Sequence, residues 1–214
     1  MPLGPSIRKL IGPSLAPPIG RAYRNLFVNL DKVARALTGV LPPGAHVLDI
    51  GGGDGEPLNH LLELRDDLRV TTIDPGPQVG QWIAPRFAER VTCLPGTGIE
   101  EYLAQGRTDP DAVVIADVMH HIPVASRPAF FASLKTLWDR NPDLRIIVKD
   151  VEPGSPRALL GLWSDRYITG DRGVSLVSRR QLVALMEAAI GPLRHEETPL
   201  HQWDSPNYAI AFFR

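Results

Sequence analysis

The sequence predicts an α/β protein on a doubly wound, mostly parallel sheet that closes with an antiparallel C-terminal hairpin. Three observations lead there. Short Val- and Ile-rich runs alternate with helix-patterned segments between residues 46 and 190, the rhythm of parallel strands covered on both faces. A dense glycine cluster follows the first of those runs, as at the strand-to-helix turns where such sheets hold ligands. The end of the chain breaks the rhythm: apolar runs at 193–200 and 208–213 flank a polar turn at 203–207, the pattern of a hairpin.

Composition bounds the rest. At 214 residues, 43% hydrophobic and 22% charged, the chain suits one ordinary domain with a sizeable core. A formal net charge of −1 argues against a nucleic-acid binder that relies on bulk electrostatics. Cys93 is the single cysteine, so no intrachain disulfide or thiolate metal cluster can form. The first residues lack a secretory pattern, and no run approaches the ~18 apolar residues of a membrane span. A cytoplasmic protein without stable membrane insertion is expected, and a homodimer is compatible with this composition.

Residues 1–39 read as an N-terminal arm and helix. Five prolines in the first twenty residues break regular structure, with one short helix expected at 6–11. From 21 to 38 apolar residues, Tyr23, Leu26, Phe27, Leu30 and Val33 among them, recur at helical spacing. Gly39 and Pro42-Pro43 then stop the helix. This segment is expected to cover the acceptor side of a ligand-binding domain spanning 40–214. Within that domain, strands are expected at 46–50, 68–73, 91–94, 112–116 and 144–151. Helices are expected at 57–64, 78–87, 99–105, 124–140 and 178–190. The stretch 150–172 reads as a long connection.

The segment 47–55, Val-Leu-Asp-Ile-Gly-Gly-Gly-Asp-Gly, is the most informative. Glycines let the backbone take positive φ and let a ligand lie against it with no Cβ in the way. A dinucleotide fingerprint, G-x-G-x-x-G, would put its third glycine at Glu56, where a carboxylate would repel pyrophosphate. Asp74 ends the second strand, nineteen residues after Gly55. A carboxylate so placed can accept bonds from both hydroxyls of a ribose, while Pro75 begins a turn.

The run from Asp49 through Gly51, Gly53 and Gly55 resembles motif I, D-x-G-x-G-x-G, of class I S-adenosylmethionine-dependent methyltransferases. The Rossmann-like sheet of that family ends in an antiparallel strand, as expected here. Its ligand carries an ammonium and a sulfonium rather than phosphates, so nearby carboxylates are tolerated. Thr97, Gly98 and Ile99 follow the third strand, where the family holds adenine, although the Asp often found there is missing. Asp117-Val118-Met119-His120-His121-Ile122 is similar to the fourth-strand motif of the quinone- and metabolite-methylating branch, and 178–189 to its late helix. The resemblance runs in order from about 21 to 214. It implies S-adenosylmethionine as cofactor, with Asp49, the three glycines, Asp74, Pro75, Thr97, Gly98, Ile99, Asp117 and Val118 binding it.

The implied reaction is transfer of a methyl group to oxygen or carbon of a small-molecule acceptor (a metabolite, quinone or lipid-like compound). Alignment of donor and acceptor alone can supply ~7–11 kcal/mol of such a barrier. Where the acceptor must lose a proton, His121, or failing that His120, is the expected base, because imidazole titrates near neutral pH. The acceptor pocket is expected to draw on Tyr23, Lys149, Trp163 and Arg166. Lys149 sits in a strand predicted to be covered on both faces, where an ammonium needs a partner. Asp150 or Glu152 is the expected one. Asp117 and Asp150 stand where a catechol-type enzyme places acids, but Val151 replaces the Asn of its Asp-Asn pair, so no metal is expected. The Asn/Asp-Pro-Pro-aromatic box of base methylases is also missing at 117–120, so no nucleic-acid partner is expected. A nicotinamide-dependent oxidoreductase and a non-catalytic S-adenosylmethionine-binding subunit stand as alternatives.

Overall fold

In the computed structural model the chain is described at residues 29–164, 173–198, 200 and 206–214. Tyr23 and Arg166 lie outside the described residues, as do the arm, the helix expected at 6–11 and most of the polar turn. The first described helix, α1 (Leu30–Val40), is capped by Asn29, whose side chain accepts from the Lys32 amide. Its buried residues Val33, Leu37 and Val40 join a cluster with Leu58 and Leu61. Those two leucines belong to α2 (Glu56–Leu64), which follows β1 (His46–Ile50).

Next come β2 (Arg69–Asp74), β3 (Val91–Pro95), α3 (Ile99–Ala104), β4 (Ala112–Ala116), α4 (Arg127–Arg140) and β5 (Arg145–Val151). The chain closes with α5 (Pro156–Ser164), α6 (Arg179–Ile190), β6 (Arg194–Thr198) and β7 (Asn207–Phe213). The sheet order is β3-β2-β1-β4-β5-β7-β6. The first five strands pair in parallel, and β7 runs antiparallel to both β5 and β6. Alternation sends Leu48, Ile50, Val113 and Ile115 to one apolar cluster with α4 and α6, and Val47, Ala112 and Val114 to the other with α1 and α2. Strand order reverses between β1 and β4, so a crevice opens beyond their carboxyl ends.

Two helical expectations need correction. Residues 78–87 do not form a helix; only a 3-10 turn, Pro85–Arg90, is present. Gly80 has a φ of 68°, and the amides of Gly80 and Trp82 donate to the carbonyls of Gly53 and Asp54. The segment thus spends its polar groups bracing the glycine loop rather than closing helical turns. The expected helix 124–140 divides into a 3-10 turn, Val124–Ser126, and α4, with Pro128 in the first turn of α4. The connection 150–172 contains α5, where the Ser155 hydroxyl accepts from the Ala158 amide.

Candidate active site

Two groups of residues meet at the β1/β4 crevice. On the β1 side, Gly51, Gly53 and Gly55 take φ of 77°, 51° and 82°, a region that glycine enters without steric cost. The Gly51 amide donates to the Ile73 carbonyl at 2.7 Å. A Cβ on Gly51 would run into Val118, and one on Gly55 into Ile83. Gly53 differs, since among the described residues a Cβ there would find only the Gly51 carbonyl, 4.0 Å away. The loop therefore turns an open backbone edge toward the crevice.

Two carboxylates underlie that edge. Asp74 accepts from the Gly53 amide at 3.2 Å and from Gly76 at 2.7 Å, which ties the end of β2 to the loop. Asp49 is buried, with the Thr72 hydroxyl donating to it at 2.8 Å. Burial pushes its carboxyl up to about 6, against the lowering effect of Thr72 and with help from the charge of Asp74. Thr97 is buried and its amide donates to the Asp74 carbonyl at 3.0 Å. Gly98 donates to the Glu101 carboxylate at the start of α3, and Ile99 points into the core. Pro75 is exposed. This half combines a glycine loop, an acid at the end of β2 and a buried carboxylate, groups whose chemistry suits a ligand with hydroxyls and a cationic end.

The β4 side is built from side chains. His120 is buried, and its Nδ1 lies 2.5 Å from an Asp150 carboxylate oxygen, while its own amide donates to the other at 3.2 Å. Val151 N–H also donates to Asp150, at 2.7 Å. A carboxylate on Nδ1 fixes the proton there in the neutral ring and leaves Nε2 as the basic nitrogen. The half-buried His121 ring sits with its centroid 4.2 Å from that of His120. The geometry thus seats His120 on an acid. Asp150 was not legible as its partner; the available signal was an acid ending the strand beside the one that delivers the histidines.

Lys149 is 0% exposed and places Nζ 2.5 and 2.6 Å from the two carboxylate oxygens of Asp117. This corrects the expectation of Asp150 or Glu152. Parallel pairing sets Lys149 beside Ala116, one residue from Asp117, whereas Asp150 turns to His120. Donor atoms of Asp117, His120 and Asp150 lie within 4.8 Å of one another. A divalent ion there would have to displace the Lys149 ammonium from Asp117 and the imidazole from Asp150. Trp163 lies on α5 and is 62% exposed.

Fold and crevice together define an α/β domain with a glycine loop at the end of β1 and a histidine–carboxylate pair at the end of β4. The chain belongs to the methyltransferase-domain family, whose model matches residues 21–189. The mitomycin 7-O-methyltransferase structure is similar at a TM-score of 0.65 and 23% identity, over 86% of this chain and 53% of that one. Human N-acetylserotonin methyltransferase, in complex with S-adenosylmethionine, is similar at 0.64 and 18%, over 87% of this chain and 52% of its own. This chain thus spans about half the length of each. A probable ribosomal RNA small subunit methyltransferase A from Natronomonas pharaonis is 38% identical over 73 residues, 33% of this chain and 26% of that protein. Among the described residues, no helix is long and apolar enough to cross a membrane.

Proposed function

We propose that this methyltransferase domain uses S-adenosylmethionine to methylate a hydroxyl on a small, largely apolar acceptor in the cytoplasm. The observation that carries it is the juxtaposition at one crevice of the open Gly53 edge and the His120–Asp150 pair. Asp74 would hold the ribose, and Asp49 would face the cationic amino-acid end. When bound, S-adenosylmethionine supplies a methyl group on a sulfonium, a good leaving group for in-line displacement. His120 Nε2 takes the proton from the acceptor hydroxyl, and Asp150 holds the imidazole and stabilises the imidazolium that results. His121, the neighbouring histidine, serves as the control.

The acceptor class rests on where apolar surface is exposed. Val124 follows β4, and Leu159, Leu160 and Trp163 lie on α5 just after β5. Exposed apolar side chains on the segments that follow β4 and β5 suit a flat apolar body carrying an ionisable hydroxyl. The lid role of residues 1–39 and the acceptor contacts of Tyr23 and Arg166 belong to the same reading. Lys149 does not, because its ammonium is committed to Asp117. Calorimetry with S-adenosylmethionine, its demethylated product and NAD tests the cofactor. Radiolabelled methyl transfer to phenolic acceptors and to ribosomal RNA, run side by side, tests the acceptor. Binding of NAD alone, or label entering only RNA, would overturn the proposal.

A further inference from the structure

Among the described residues, Asp117 is the one non-glycine residue with positive φ, at 59°. It is the turn that carries the chain from β4 toward His120. L-residues resist this conformation, and an isolated one persists only where its surroundings over-determine it. Two contacts from one residue do so here. The Lys149 ammonium grips both oxygens of the Asp117 carboxylate, and the Asp117 amide donates to the Lys149 carbonyl at 2.9 Å. The Asp117 side chain is 41% exposed while Lys149 is 0% exposed, so the anchor is the buried cation. An ammonium so enclosed holds its one carboxylate firmly, since leaving it unpaired is costly.

Downstream, the turn is followed at once by contacts that depend on its course. Val118 packs against Gly51. His121 and Ile122 amides donate back to Val118 and Met119, and the His120 ring reaches Asp150. Ser175 N–H donates to the His120 carbonyl, and the Arg127 guanidinium joins the Ile122 and Ser175 carbonyls. These contacts tie the far end of the loop; residue 117 sets where it starts.

We propose that Lys149 is a positioning residue: through Asp117 it clamps the turn after β4 in its left-handed conformation, and so seats His120 on Asp150. The proposal deepens the reading of His120 as the base and rests on it. It makes the pair a conformational device rather than a ligand contact. Its signature is that the need for Lys149 disappears when residue 117 can take positive φ freely, as glycine does.

The test is proton NMR of the full-length protein without cofactor or acceptor. The downfield proton of the His120–Asp150 hydrogen bond is assigned by its loss in His120→Asn. Wild type shows this signal. Lys149→Met loses it and exchanges the amides of 117–122 at least about tenfold faster, as a locally opened segment does. The double variant Lys149→Met/Asp117→Gly regains both the signal and the protection. A signal that survives in Lys149→Met, or is missing from wild type, overturns the proposal. So does a double variant that stays without it, since the pair would then act by charge rather than through the backbone. Should Lys149→Met not fold, the double variant carries the test alone: it folds with the signal, or the proposal falls. Because no turnover is involved, an inactive wild type would sink the methyl-transfer reading while leaving this result to stand by itself.

Discussion

The two halves of the crevice solve the same problem of placement with different materials. At the end of β1 the crevice is lined by backbone: three positive-φ glycines, with Gly53 open among the described residues, and two carboxylates braced by amide and hydroxyl donors. At the end of β4 it is side chains, with two pairs, His120–Asp150 and Lys149–Asp117, reaching across from β5. A backbone cradle depends on residue type at fixed positions, whereas a side-chain array depends on register between strands far apart in sequence. The first half should govern cofactor affinity and the second the chemical step. Substitutions can separate the two.

The largest effect is expected at His120. His120→Asn should lower kcat by about 10²–10⁴, the usual worth of a general base, with S-adenosylmethionine affinity preserved and His121→Asn near wild type. Steady-state kinetics beside calorimetry checks this; equal losses for the two histidines would blur the assignment.

Gly53→Val should act on the opposite half. A β-branched residue at φ 51° costs about 1–3 kcal/mol of backbone strain, and its side chain would fill the open edge. Cofactor affinity should fall well beyond any change in melting temperature. A variant that binds as wild type does would show that the loop is only a turn.

A smaller change is expected from Asp74→Ala, which removes a charged acceptor worth about 1.5–3 kcal/mol of cofactor binding. It also releases the Gly53 and Gly76 amides to solvent, so melting should be compared alongside.

The last effect concerns stability against pH and leaves binding and turnover aside. The Asp49 carboxyl lies at about 6 in the folded chain against an ordinary value of 3.8. Between those values the folded state binds the extra proton, so stability falls as pH rises from about 4 to about 6 and then levels. The loss is of the order of 2–3 kcal/mol for a shift of this size. Asp49→Asn should flatten that decline in denaturant titrations across pH. A parallel decline in both proteins would place its cause elsewhere.

The same contrast explains what the sequence could disclose. The glycine loop was legible because its conformation demands a residue type, and Asp74 because a strand end fixes its place. The hairpin was legible because it interrupts an alternating pattern. The pairing of His120 with Asp150 was not, since nothing local decides which of two adjacent histidines turns inward. Lys149 was recognised as needing a partner, but the choice of Asp117 follows from the β4/β5 register. The segment 78–87 misled because its apolar spacing suits a helix, while its polar groups are drawn to the glycine loop. The helix α5 escaped notice because its large apolar residues Leu159, Leu160 and Trp163 are exposed while the small Ala158 is the buried one, so its apolar residues do not mark the covered side.

The division between a backbone half that binds and a side-chain half that reacts is tested most directly by one calorimetric series. S-adenosylmethionine is titrated into wild type, Asp74→Ala and His120→Asn under the same conditions. Wild type should bind, Asp74→Ala should bind about 10- to 150-fold more weakly, and His120→Asn should match wild type. No binding to wild type, or equal weakening in both variants, would contradict the account.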